Sequence, residues 1–223
     1  MIRILLIAAS SLALTLVTDN VFAQNIAGKA KAAMCAGCHG EDGNSLVPVY
    51  PKLAGQHKGY LVKQLQAFKS GARLSPMMAP MAMGLDDQAI EDISEYYAGN
   101  KISPNYASAA ADSDDDSDNA KTPEQKKAEL ESLLAQGSDL YRNGDLKTAV
   151  SACIACHGPF AEGNKPASYP SLHSQQSEYL IKTLTDFKTG ARSKSNENVM
   201  HMIAVKMSEQ EIKAVAHYIS TIR

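Results

Sequence analysis

Apolar residues recur at helical spacing near the middle and the end of this chain, at Ile90, Ile93 and Tyr97 and again at Ile212, Val215 and Ile219. Positions three and four apart share one face of a helix, so each set predicts an amphipathic helix with a stripe to bury. The first is expected to start at Asp86 and stop at Gly99. The second starts at Ser208, where Ser208-Glu209-Gln210-Glu211 has the form of a capping box. Helices are likewise predicted over 59–70 and 177–189, closed by Gly71 and Gly190. A short helix is expected over 27–33. A longer one is expected over 123–141, with proline at its start and Asn143-Gly144 beyond its end. No stretch alternates apolar and polar residues as a strand would, so the chain reads as all-α.

The pattern occurs twice because the chain repeats itself. Tyr50-Pro51-Lys52-Leu53 matches Tyr169-Pro170-Ser171-Leu172, and Tyr60-Leu61-Val62-Lys63 matches Tyr179-Leu180-Ile181-Lys182. Phe68-Lys69-Ser70-Gly71-Ala72-Arg73 matches Phe187-Lys188-Thr189-Gly190-Ala191-Arg192. The landmarks keep their order, which is duplication of a whole domain. Between the copies, residues 103–122 are polar and alanine-rich, with five aspartates from Asp112 to Asp118. Such a stretch cannot bury a core and reads as an acidic linker. The expected domains are therefore 24–102 and 123–223. Over the whole chain 22 basic residues face 24 acidic ones, a balance that speaks against nucleic acid as a partner.

Each copy also carries one Cys-x-x-Cys-His, as Cys35-Ala36-Gly37-Cys38-His39 and Cys153-Ile154-Ala155-Cys156-His157, and these use all four cysteines. This pentapeptide is the attachment signature of a c-type haem. The two thiols add to the haem vinyl groups and the next imidazole is carried beneath the iron. The expected cofactors are thus two covalently bound haem c groups, held by Cys35, Cys38, Cys153 and Cys156, with His39 and His157 on the irons. A zinc site built from the two cysteine pairs would give no reason for the histidine that follows both. A domain of this size has a thin core, so haem is expected to supply part of its apolar volume. The N-terminus agrees with this chemistry. Arg3, the mostly apolar run from Ile4 to Val17 and Val21-Phe22-Ala23 have the form of a signal peptide over 1–23, with Gln24 first in the mature chain. The run has 14 residues, short of the roughly 20 that span a bilayer. A periplasmic protein follows.

The second iron ligand decides between an open site and a closed one, and methionine closes it and raises the potential. The chain has methionines at 77, 78, 81 and 83 in the first copy and at 200, 202 and 207 in the second. Seven residues before Leu85 stands Met78; seven before Met207, its counterpart, stands Met200. No other methionines pair in this way, so Met78 and Met200 are the expected ligands, with Met77 and Met81 as fallbacks. His201 adjoins Met200 but has Ala79 as its counterpart. His57, His173 and His217 do not repeat. Arg73 and Arg192 have two readings, contacts to haem propionates or cations near a helix end. The carbonyls of Pro51 and Pro170 are placed to orient the two ligating histidines.

Together these landmarks resemble the cytochrome c4 family of dihaem cytochromes. The similarity covers nearly the whole mature chain, from Cys-x-x-Cys-His-Gly through Tyr50-Pro51-Lys52-Leu53-Ala54-Gly55-Gln56 to the last helix, and includes Asp42-Gly43-Asn44-Ser45 and Glu162-Gly163-Asn164. The resemblance implies two tandem cytochrome c-like domains about a pseudo-twofold axis, with His/Met ligation at both irons. It implies a one-electron carrier, not an enzyme, between a cytochrome bc complex and a haem-copper terminal oxidase, with peripheral association at the inner membrane. The alternative is the dihaem subunit of a periplasmic dehydrogenase, such as flavocytochrome c sulfide dehydrogenase. A dihaem peroxidase needs an open iron, and the paired methionines argue against it. The chain departs from the family in its long acidic linker and in His173-Ser174, which stand where the first copy has Ala54-Gly55.

Overall fold

A computed structural model describes residues 26–105, 121–192 and 198–223. The signal peptide assigned to 1–23 and residues 106–120 of the linker lie outside the described residues. Within them the chain is helical, with two isolated bridges, Asp145 to Val150 and Asn164 to Tyr169, in place of strands. No helix of the described residues is long and apolar enough to cross a membrane.

The first domain begins with α1 (residues 26–31), which tightens into a 3-10 turn over Ala32–Met34 and leads to α2 (Ala36–His39). It continues with α3 (Lys58–Lys69), α4 (Met78–Met83) and α5 (Asp87–Gly99). The second domain repeats the order with α6 (Pro123–Asn143), α7 (Ile154–His157), α8 (Ser177–Lys188), α9 (Val199–Ala204) and α10 (Glu209–Thr221). The starts at Asp86 and Ser208 are those the sequence predicts. The Asp86 carboxylate accepts from the Ala89 amide, and Ser208 and Glu211 form a capping box. Thr122 and Gln125 form another at α6, with Pro123 in the first turn. Sequence reasoning missed α4 and α9. Six residues hold less than two turns, too few for an apolar period to show.

In both domains the first and last helices cross at a glycine. A Cβ on Gly28 would strike the Asp92 carbonyl and lie 2.8 Å from the Tyr96 Cβ. On Gly137 it would strike the Ala214 carbonyl and lie 2.7 Å from the Tyr218 Cβ. The helices thus touch backbone to backbone, which is the close approach that glycine alone permits. Around the crossings lie two cores. The first holds Ala32, Leu61, Ile93, Tyr96 and Tyr97, with Cys35, Leu53 and Leu85 against it. The second includes Tyr141, Leu180, Met207, Ile212 and Val215, with Cys153, Ile154 and Ile203 against it. Each core therefore borders its own cysteine motif.

The domains meet through loops and side chains arranged reciprocally. The Gln56 amide bonds the Ser171 backbone, its Nε2 donating to the carbonyl at 2.8 Å and its Oε1 accepting from the N–H at 3.0 Å. Gln175 does the same to Lys52, at 2.9 and 2.8 Å. Gln56 and Gln175 are equivalent in the repeat, as are Lys52 and Ser171. Gln176 adds a bond from its Nε2 to the Ser45 carbonyl at 2.7 Å.

Candidate haem sites

Both cysteine motifs are one short helical turn in which His39 and His157 accept no freedom. Each of the two residues is 6 % exposed. His39 Nδ1 lies 2.9 Å from the Pro51 carbonyl, and His157 Nδ1 lies 3.0 Å from the Pro170 carbonyl. A carbonyl only accepts, so each Nδ1 carries the proton and each Nε2 keeps its lone pair. Burial holds both imidazoles below the usual histidine pKa, which keeps them neutral, while the bonded carbonyl partly opposes this. A neutral, oriented imidazole with a free Nε2 fits an axial ligand of haem iron. The four cysteines are free of disulfides. Burial raises the Cys35 thiol and pushes Cys153 up to about 11. Among the described residues no group of three or more His, Cys, Asp or Glu converges to hold a metal ion.

The methionines fall into distinct settings. Met207 is 3 % exposed and belongs to the second core, whereas Met77, Met83 and Met202 are 54 %, 68 % and 45 % exposed. Met78 and Met200 are half-buried. The Met78 N–H donates to Ser75 Oγ, three residues back, at 3.1 Å, and the Met200 N–H donates to Asn198 Oδ1, two residues back, at 3.0 Å. Leu85 and Met207, the residues from which the two methionines were counted, take like bonds. Lys69 Nζ donates to the Leu85 carbonyl and Lys188 Nζ to the Met207 carbonyl, both at 2.6 Å. Met81, the other fallback, is half-buried on the following turn. His201 is tied through Nδ1 to the Phe187 carbonyl at 2.6 Å.

Arg73 and Arg192 meet at the domain boundary, which no sequence signal announced. Arg73 donates to Gln64 at 2.7 Å and to the Tyr179 hydroxyl at 3.3 Å. Arg192 donates to the Tyr60 hydroxyl at 2.8 Å and to Gln64 at 3.2 Å. Each guanidinium also lies 4.5 Å from the ring of its own Phe68 or Phe187. Burial disfavours ionisation of Tyr179, yet the two guanidiniums outweigh it and draw that hydroxyl below the usual tyrosine range. Among the described residues no carboxylate pairs with either arginine, so their remaining donors suit an anion.

Two Cys-x-x-Cys-His turns on two helical domains of like build are those of a c-type cytochrome with two covalently bound haems, a protein that transfers electrons. The Cytochrome c family model matches residues 26–101 and 134–223. A cytochrome c4 of Thiocapsa roseopersicina is 42 % identical over 195 residues, covering 86 % of this chain and 90 % of that protein. The crystal structure of reduced recombinant cytochrome c4 from Pseudomonas stutzeri superposes with a TM-score of 0.74 at 37 % identity, over 88 % of this chain and 97 % of that one. A thiosulfate dehydrogenase electron acceptor of Stutzerimonas stutzeri is 32 % identical over 192 residues, covering 86 % and 80 %. The chain belongs to the cytochrome c4 family.

Proposed function

We propose that this chain is a periplasmic one-electron carrier whose irons are closed by His39 with Met78 and by His157 with Met200. The observation that carries this reading is the pair of buried histidines, each with Nδ1 bonded to a proline carbonyl and Nε2 free. Haem supplies the redox centre; the chain's own residues decide that it does nothing else. Cys35, Cys38, Cys153 and Cys156 hold it by thioethers. Met78 and Met200 would be the second ligands, which would leave no open iron for peroxide and suits a carrier without a substrate of its own. Arg73 and Arg192, at the domain boundary, would supply donors to haem propionate carboxylates.

The donor is a cytochrome bc complex or similar, and the acceptor a haem-copper terminal oxidase, met in transient complexes at the inner membrane. A second reading has one specific support. A relative named for accepting electrons from thiosulfate dehydrogenase matches most of this chain, which favours a periplasmic dehydrogenase as an alternative donor. Co-purification with such a dehydrogenase decides for that donor.

The test of the ligand set is the optical spectrum of the oxidised protein. Two low-spin haems with a methionine-to-iron charge-transfer band are expected, and Met78→Ala or Met200→Ala should each remove half of that band. Retention of the whole band in both variants refutes the assignment, and its loss with Met77→Ala or Met81→Ala moves the ligand to that residue.

A further inference from the structure

The reciprocal glutamines do more than hold the domains together, because the peptide each one grips is the peptide that orients a histidine in the other domain. His39 Nδ1 donates to the Pro51 carbonyl at 2.9 Å. The N–H of that same peptide group, on Lys52, donates to Gln175 Oε1 at 2.8 Å. In the other direction His157 Nδ1 donates to the Pro170 carbonyl at 3.0 Å, and the Ser171 N–H of that peptide donates to Gln56 Oε1 at 3.0 Å. The amide orientation is forced, since each glutamine Nε2 donates to a backbone carbonyl, of Lys52 or Ser171, that cannot itself donate. Lys52, Ser171, Gln56 and Gln175 are all less than 9 % exposed, so water does not compete for these bonds.

We infer that Gln56 and Gln175 are crossed positioning residues, each tuning the haem of the opposite domain through a prolyl peptide. This rests on the reading of His39 and His157 as iron ligands. Hydrogen bonds in series polarise one another. An acceptor on the Lys52 N–H makes the Pro51 oxygen a stronger acceptor for the His39 Nδ1–H. A more strongly bonded imidazole is a more basic ligand, which stabilises ferric iron and lowers the potential. Removing Gln175 therefore raises the potential of the haem at Cys35 and Cys38, in the first domain, although Gln175 lies in the second. Removing Gln56 raises that of the haem at Cys153 and Cys156.

The experiment is a redox titration of the holoprotein and its variants, with each haem followed by its own hyperfine-shifted proton resonances. Gln175→Leu is expected to shift the reduction equilibrium of the first haem by about threefold, where tenfold corresponds to about 59 mV for one electron. Gln56→Leu shifts the second by a similar factor. Gln176→Leu, which breaks the interdomain bond to Ser45 but touches neither prolyl peptide, leaves both unmoved. A shift in the haem of the substituted domain, equal shifts in both haems, or the same shifts from Gln176→Leu overturn the inference. In the unaltered protein the Lys52 and Ser171 amide protons should exchange slowly, and rapid exchange at either overturns it without any variant. Absence of axial-histidine ring resonances from the unaltered protein overturns the ligand reading along with it. Their presence with uncrossed potentials overturns the glutamine role alone.

Discussion

Glycine and its replacements mark where the two copies diverge. Gly55 has φ 68° and its counterpart Ser174 has φ 54°, so both occupy the left-handed region. Ser174 tolerates it while donating its hydroxyl to the Ile222 carbonyl at 3.1 Å. Gly43 and Ala161 are a second such pair. The Gly43 carbonyl accepts from the Leu53 and Ala54 amides, and the Ala161 carbonyl accepts from those of Leu172 and His173. The likeness of Gly43-Asn44 to Gly163-Asn164 is therefore one of sequence and not of position, a slip of two residues that only the hydrogen bonds expose. Gly55→Ala has room, since its Cβ would lie 3.5 Å from the Asn100 carbonyl. The cost is left-handed strain alone. Denaturant titration should show a loss of about 1 kcal/mol.

At the scale of elements, the helix crossings set what each domain tolerates. α6 packs along α10 with Gly137 at the contact, and α1 meets α5 at Gly28. A methyl at either place must push a backbone carbonyl, and backbone does not yield as a side-chain tip does. Gly137→Ala is expected to destabilise the second domain by about 1–3 kcal/mol, read from its unfolding midpoint, while the first domain's midpoint stays. Most elements were legible beforehand because their signals are local. Capping residues, a closing glycine and a 3.6-residue stripe identify α3, α5, α6, α8 and α10 to within two residues. Gly28 and Gly137 were not, because a glycine inside a helix carries no mark of what crosses it. The cysteine motifs and the proline carbonyls were legible for the same local reason. Gln56, Gln175, Tyr60 and Tyr179 were not, since their partners lie more than a hundred residues away.

For the whole molecule, the boundary between domains is also where pH acts. His57 is 8 % exposed and its Nδ1 has no hydrogen-bond partner. Burial lowers its pKa from 6.5, and Lys165 across the boundary adds to this. His173 is lowered too, by burial and by His57, against the pull of Glu162. Both histidines stay neutral in the folded chain where the unfolded chain has begun to take protons. Well above pH 6.5 neither state binds these protons and stability is unaffected; as the pH falls through 6.5 the unfolded state binds more of them, so stability is lost. Unfolding at pH 7.5 and pH 5 should show this loss. His57→Gln, which installs the residue found at the equivalent Gln176, should reduce it.

The exchange of like bonds by Gln56 and Gln175 is the form of an isologous contact, in which one surface meets its own copy. That geometry is what two separate, identical subunits make. Joined in one chain, the halves keep the contact and gain the freedom to change singly. Lys52 against Ser171 and His57 against Gln176 are changes of this kind, available to a fused pair and closed to a true homodimer.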